Sequence, residues 1–144
     1  MNYAKIAEYF ASDEKIEELL EALKKDYFDV IDDYTQQIAA DIISTIEDLR
    51  KAKTALTVIY ASLQPIYSKA LTLKKQKEYR YFVEHKDEGS AASMTVASKD
   101  AVRLYRDVRD IIFGYLKAAE SLIYDCKDRI EQSRKEYNTT KEEN

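Results

Sequence analysis

Four cations and three aromatic rings share nine consecutive positions, Lys74-Lys75-Gln76-Lys77-Glu78-Tyr79-Arg80-Tyr81-Phe82. Lysine and arginine on a helix surface engage phosphates. Tyrosine and phenylalanine rings give unpaired bases a face to stack on, worth about 1–3 kcal/mol per base. Lys74, Lys75, Lys77, Tyr79, Arg80 and Tyr81 are therefore candidates for a sequence-tolerant contact with single-stranded nucleic acid. A plainer role fits the same residues: a solvated basic face whose aromatics finish the hydrophobic seam of a helix.

Other chemistries find little support. The chain has 1 cysteine and 1 histidine, so the usual Cys/His metal sites and an internal disulfide cannot be built. Its 2 glycines, Gly89 and Gly114, are too far apart for a phosphate-cradling loop. Glu14, Glu17, Glu18 and Glu21 have helical spacing, but di-iron sites pair such acids with Glu-x-x-His repeats, and none occurs here. They read as a solvated acidic face. Cys126 lies in a helical pattern with no resolving partner and reads as a small core residue. His85 suits a solvated or capping role. The expectation is a protein with no catalytic residues, no metal and no cofactor, and not an enzyme.

Charge is distributed in blocks. Residues 1–48 carry 4 basic and 13 acidic side chains, a net of -9. Residues 49–86 carry 9 basic and 2 acidic, a net of +7, and residues 87–144 carry 10 and 12, a net of -2. Such asymmetry points the middle segment at a negative partner. That partner is either a phosphate backbone or the acidic first segment, of the same chain or of a neighbour.

These residues must be held by helices. With 2 glycines and 1 proline in 144 residues, the chain lacks the turn residues of a hairpin-rich sheet. The expected fold is all-α, a single helical domain over 1–144: a long antiparallel helical hairpin with an additional N-terminal helix, bundle-like or coiled-coil-like. Within it, 1–35 is an acidic helical region, with Ser12 as an N-cap ahead of Asp13 and Glu14. Residues 26–33 are a bend or further helix. Ile42, Ile46, Leu49, Ala52, Leu56, Ile59, Leu63, Ile66, Ala70 and Leu73 step by three or four, predicting a long helix over 36–84, kinked or broken at Pro65. Residues 85–97 read as a loop, with Met94 to Ala97 a short extended piece and Ser98 the next N-cap. A long helix is predicted over 98–137, with Gly114 marking a close helix contact, and then a frayed polar tail over 138–144. One hairpin leaves too much seam uncovered, so a homo-oligomer is expected. No run approaches 18 apolar residues and Met1 to Phe10 lacks the features of a signal peptide, so a cytoplasmic protein without a membrane partner is expected.

Over roughly residues 16–137 the chain resembles the UvsY-type recombination mediator proteins of tailed phages. Leu20-Glu21-Ala22-Leu23-Lys24-Lys25-Asp26-Tyr27-Phe28 is similar to that family's leucine-rich, Lys-Lys-Asp N-terminal run. A long helix then ends in a basic pair before a tyrosine pair. Here Lys75 and Lys77 match the basic pair, with lysine in place of arginine; Tyr81 matches one tyrosine and Arg80 stands for the other. Ala97-Ser98-Lys99-Asp100 resembles the opening of the family's last helix. Pro65 departs from the pattern, and Ser133-Arg134-Lys135 replaces a C-terminal Arg-Gly-Phe. The resemblance implies an oligomeric helical adaptor of a phage-infected or bacterial cell. It would bind single-stranded DNA and contact a recombinase and a single-strand-binding protein, helping to load recombinase filaments without cofactor or catalysis.

The competing expectation is a structural or interaction protein, such as a helical component of a phage particle or an adaptor bundle. DNA binding requires Lys74, Lys75, Lys77 and Arg80 on one exposed face. The structural role pairs them with acids such as Asp29, Asp32 or Asp33, or buries them at a subunit contact.

Overall fold

The computed structural model describes residues 3–143, and every regular element among them is helical. Met1, Asn2 and Asn144, counted in the expected first helix and tail, lie outside the described residues. A 3-10 turn, Tyr3–Lys5, leads into α1, Ile6–Tyr9. α2 spans Asp13–Leu23, α3 Asp29–Ala39, α4 Ile46–His85, α5 Ala91–Ala101 and α6 Arg103–Glu143.

Contacts group the chain into two compact units. The first comprises Met1–Lys24 and Gln64–Gly114; the second comprises Lys25–Leu63 and Tyr115–Asn144. The chain passes from one to the other in a π-helical segment, beside Pro65, and at Gly114.

In the first unit, Ser12 caps α2 as expected, its side chain accepting from the Lys15 amide at 3.5 Å. Ile16, Leu19 and Leu23 follow on one buried face. Phe10 stacks on Tyr105 of α6, with ring centroids 5.6 Å apart, and the Tyr105 hydroxyl donates to Asp13 at 3.3 Å. Tyr67 of α4 meets Phe113 of α6 at 5.5 Å, and Lys77 lies over the Tyr105 ring. Numbers rise along α4 while they fall along α6, so these two stretches are antiparallel.

Residues 85–97 are not a loop. After the 3-10 turn Lys86–Glu88, the Ser90 hydroxyl accepts from the Ser93 amide at 3.1 Å and starts α5. Ser98, expected to cap the long last helix, is not a cap. Ser98 is buried inside α5 and donates to the Thr95 carbonyl at 2.9 Å. The expected extended piece at Met94 to Ala97 is helical as well. α6 begins at Arg103 rather than 98, after Val102 leaves helical geometry. A Cβ added to Gly114 would have nothing within 4 Å, so no close helix contact explains this glycine.

In the second unit, the undecided stretch around Asp26 is a π-helical segment, Lys24–Phe28, running into α3. Phe28, at its end, is buried and stacks on Tyr115 of α6. The long helix begins ten residues later than expected. α3 stops at Ala39, Asp41 takes the left-handed conformation at φ 54°, and the Thr45 hydroxyl accepts from the Asp48 amide at 3.1 Å to restart the chain as α4. Ile42, placed in the seam by its spacing, is 70% exposed in this turn. From Leu49 onward the seam holds: Leu49, Ala52, Leu56, Ile59 and Leu63 are buried here, and Ile66 and Ala70 in the first unit.

Pro65 does not break α4. Proline and Ala61, whose carbonyl loses its donor, are both exposed, so water can take the vacated bond. α6 continues to Glu143, past the tail expected from 138; Thr139 and Thr140 donate to the carbonyls of Lys135 and Glu136.

Candidate nucleic-acid interface

All six candidate residues lie on the last three turns of α4, where 3.6 residues per turn divides them between two faces. Lys75, Tyr79 and Val83 recur every fourth residue, with Gln76 and Arg80 on the adjoining row. Tyr79 is 71% exposed and Val83 42%, and Lys75 and Arg80 are exposed too. Among the described residues neither Lys75 nor Arg80 forms an ion pair. Gln76, Tyr79, Arg80, Val83 and Glu84 border one shallow, open depression.

Lys74, Lys77 and Tyr81 lie on the other side of the helix and are half-buried. Lys74 pairs with Glu78 at 3.0 Å, with both side chains largely covered. Lys77 holds its ammonium 4.6 Å from the centroid of the Tyr105 ring, a cation–π contact that anchors α4 to α6. Tyr81 stacks on His85 with centroids 4.0 Å apart, and His85 Nδ1 lies 2.8 Å from the Tyr81 carbonyl oxygen. The structure therefore does not bring the six residues together. Lys75, Tyr79 and Arg80 share an accessible face, while Lys74 and Tyr81 are engaged by neighbours on α4 and Lys77 by Tyr105 on α6.

Lys74 takes Glu78 on its own helix, and Asp32 accepts from the Tyr115 hydroxyl at 2.9 Å.

A second cationic surface was not legible in the sequence. Arg50 and Lys53 of α4 face Lys127 and Arg134 of α6 across a groove of about 530 Å³ in the second unit, with Thr54, Thr57, Val58, Ile130 and Glu131 completing its lining. The available signal was spacing: Arg50 and Lys53 are three apart and Lys127 and Arg134 seven apart, so each pair returns to one side of its helix. Nothing in the sequence says that these two sides meet.

Cys126 is fully buried, and burial, followed by the neighbouring Asp125 charge, pushes its thiol pKa up. That makes it a core residue rather than a nucleophile. Among the described residues no cluster of His, Cys, Asp or Glu is arranged to hold a metal, and no helix is long and apolar enough to cross a membrane. No protein-family model, no curated protein and no solved structure matches the chain.

Proposed function

We propose that this protein is a non-enzymatic helical adaptor that binds single-stranded DNA, in the manner of a recombination mediator, and works as a homo-oligomer. The observation that carries the reading is the face made by Lys75, Tyr79 and Arg80. A large aromatic ring left 71% exposed between two unpaired cations is what a stacked base and its flanking phosphates require. A ring in that position gains nothing from folding. Within the resemblance to phage mediators, Lys75 keeps its role and Lys77 does not, because Lys77 is committed to Tyr105. Contacts with a recombinase and a single-strand-binding protein belong to the same reading, as does a place in the cytoplasm of an infected or bacterial cell.

The test is fluorescence anisotropy of a labelled oligonucleotide across a salt series. The wild type should bind, with log affinity falling linearly against log salt. Tyr79→Ala should weaken binding by about 5- to 150-fold, the equivalent of about 1–3 kcal/mol of lost stacking. Lys75→Ala/Arg80→Ala should lower the salt slope by about 1.4, for two phosphates at about 0.7 each on a single strand. Lys77→Ala should leave the slope unchanged. A folded protein that fails to bind at low salt would sink the DNA reading and leave a structural or interaction role.

A further inference from the structure

Arg50, Lys53, Lys127 and Arg134 gather around the groove of the second unit with one acid, Glu131. Among the described residues none of the four cations forms an ion pair, although each lies within reach of solvent. Four cations gathered around a single acid repel one another more than Glu131 can offset, and an anionic occupant relieves that repulsion. The lining holds no aromatic ring, so an unpaired base would find nothing to stack on. Val58, 60% exposed, offers an apolar patch suited to the methylene stem of a glutamate.

An occupant of matching form exists on the chain itself. Glu14, Glu17, Glu18 and Glu21 of α2 are exposed, and among the described residues none of them forms an ion pair. They fall within about 100° of one another around the helix and form a single acidic stripe. From Glu14 to Glu21 is seven residues, two turns, or about 10.5 Å. Lys127 to Arg134 is the same seven residues on α6. Charge and number therefore correspond, four acids against four cations, and the two-turn length of the stripe matches the Lys127–Arg134 pair on α6, with Arg50 and Lys53 on the facing helix.

We propose that the acidic stripe of α2 in one copy docks into the Arg50/Lys53/Lys127/Arg134 groove of a second copy. The two surfaces differ, so the contact is head-to-tail. Each copy offers one groove and one stripe, and repetition of the contact yields a closed ring or an open filament according to the rotation per step. The inference rests on the self-association part of the reading above and is independent of its DNA-binding part.

Charge reversal with restoration tests it, using sedimentation velocity over a range of protein and salt concentrations. The full-length wild type should self-associate, and do so less as salt rises. Arg50→Glu/Lys127→Glu/Arg134→Glu and Glu17→Lys/Glu18→Lys/Glu21→Lys should each weaken association about tenfold or more. The chain carrying all six substitutions should return to within about threefold of the wild type, because both signs are exchanged. Circular dichroism confirms that each variant is helical, and Arg50→Gln/Arg134→Gln replaces the groove variant if it fails to fold. Three results would overturn the proposal: a monomeric wild type, association indifferent to either reversal, or two weakened variants whose combination is not restored. If the groove variant loses oligonucleotide binding but keeps its association, the groove is a nucleic-acid contact and the proposal is wrong. Anisotropy with Tyr79→Ala reports on the DNA reading separately in every case.

Discussion

Tyr79 and Tyr115 show how one residue type serves two ends. Tyr79 makes no ring contact and faces water. Tyr115 stacks on Phe28 with centroids 4.1 Å apart and planes 8° apart, and donates to Asp32 at 2.9 Å. Burial, then the hydrogen bond to Asp32, then the charges of Asp32 and Asp29 push the Tyr115 pKa above its ordinary value. The folded state therefore holds the phenolic proton more tightly than the unfolded chain does. This contribution to stability is fully present below the ordinary tyrosine value of about 10, and it is lost as pH rises through the raised value. Thermal unfolding followed from pH 9 upward should show a steeper loss of stability for the wild type than for Tyr115→Phe. Parallel curves would show that the hydroxyl does not report on folding. Arg129 belongs to the same unit and ties two elements together. It bonds Asp41 at 2.9 Å and Asp125 at 3.1 Å, and those hydrogen bonds hold its pKa up. This pair helps keep Asp41 in its left-handed turn, a conformation that costs roughly 1 kcal/mol for a residue with a side chain.

At the scale of elements, breaks are placed by particular residues and not by a general loss of helical propensity. Asp41 and Thr45 stop and restart the chain, and Ser90 starts α5. Pro65 shows the converse, a strong breaker tolerated because its surroundings are wet. Gly114 has no such justification in packing. It sits inside α6 with open space around its missing Cβ and no left-handed φ. Gly114→Ala should therefore stabilise the protein by about 1 kcal/mol, read as a higher urea midpoint with an unchanged slope. A lower midpoint would mean that α6 needs the freedom of glycine at this point.

For the whole molecule, the net charge of -4 conceals a -9 block and a +7 block. The negative total opposes the approach of any polyanion at long range, so the DNA binding proposed above would rest on a local cationic face such as that of Lys75 and Arg80 and would be salt-sensitive. The total also has a consequence of its own. Repulsion between copies vanishes near the isoelectric point of about 5.2. Solubility should pass through a minimum there and recover on the acid side, which turbidity across pH 4 to 8 would reveal. An unbroken rise in solubility towards pH 5 would show that the charge blocks, and not the total, govern association.

Composition and spacing determined that the chain is helical, because scarce glycine and proline and a three-four apolar rhythm are local properties of the chain. They also determined the Ser12 cap and the buried seam from Leu49 to Ala70, since a cap and a stripe need only their own helix to be read. Local signals were misread where two of them competed. The serines and glycine at 89–98 resemble a loop until one serine is known to be a cap, and the apolar Ile42 resembles a seam residue until Asp41 turns the chain. Tertiary structure alone decided which face of residues 74–81 is free. Helical spacing shows that Lys75 and Lys77 point in different directions, but only the position of Tyr105 on α6 shows which of them is held. Arg50 and Lys53 were likewise visible as part of a basic block, yet their groove exists only because α6 brings Lys127 and Arg134 opposite them. Contacts between residues distant in sequence depend on how helices pack, and no spacing within one helix encodes its neighbour's register.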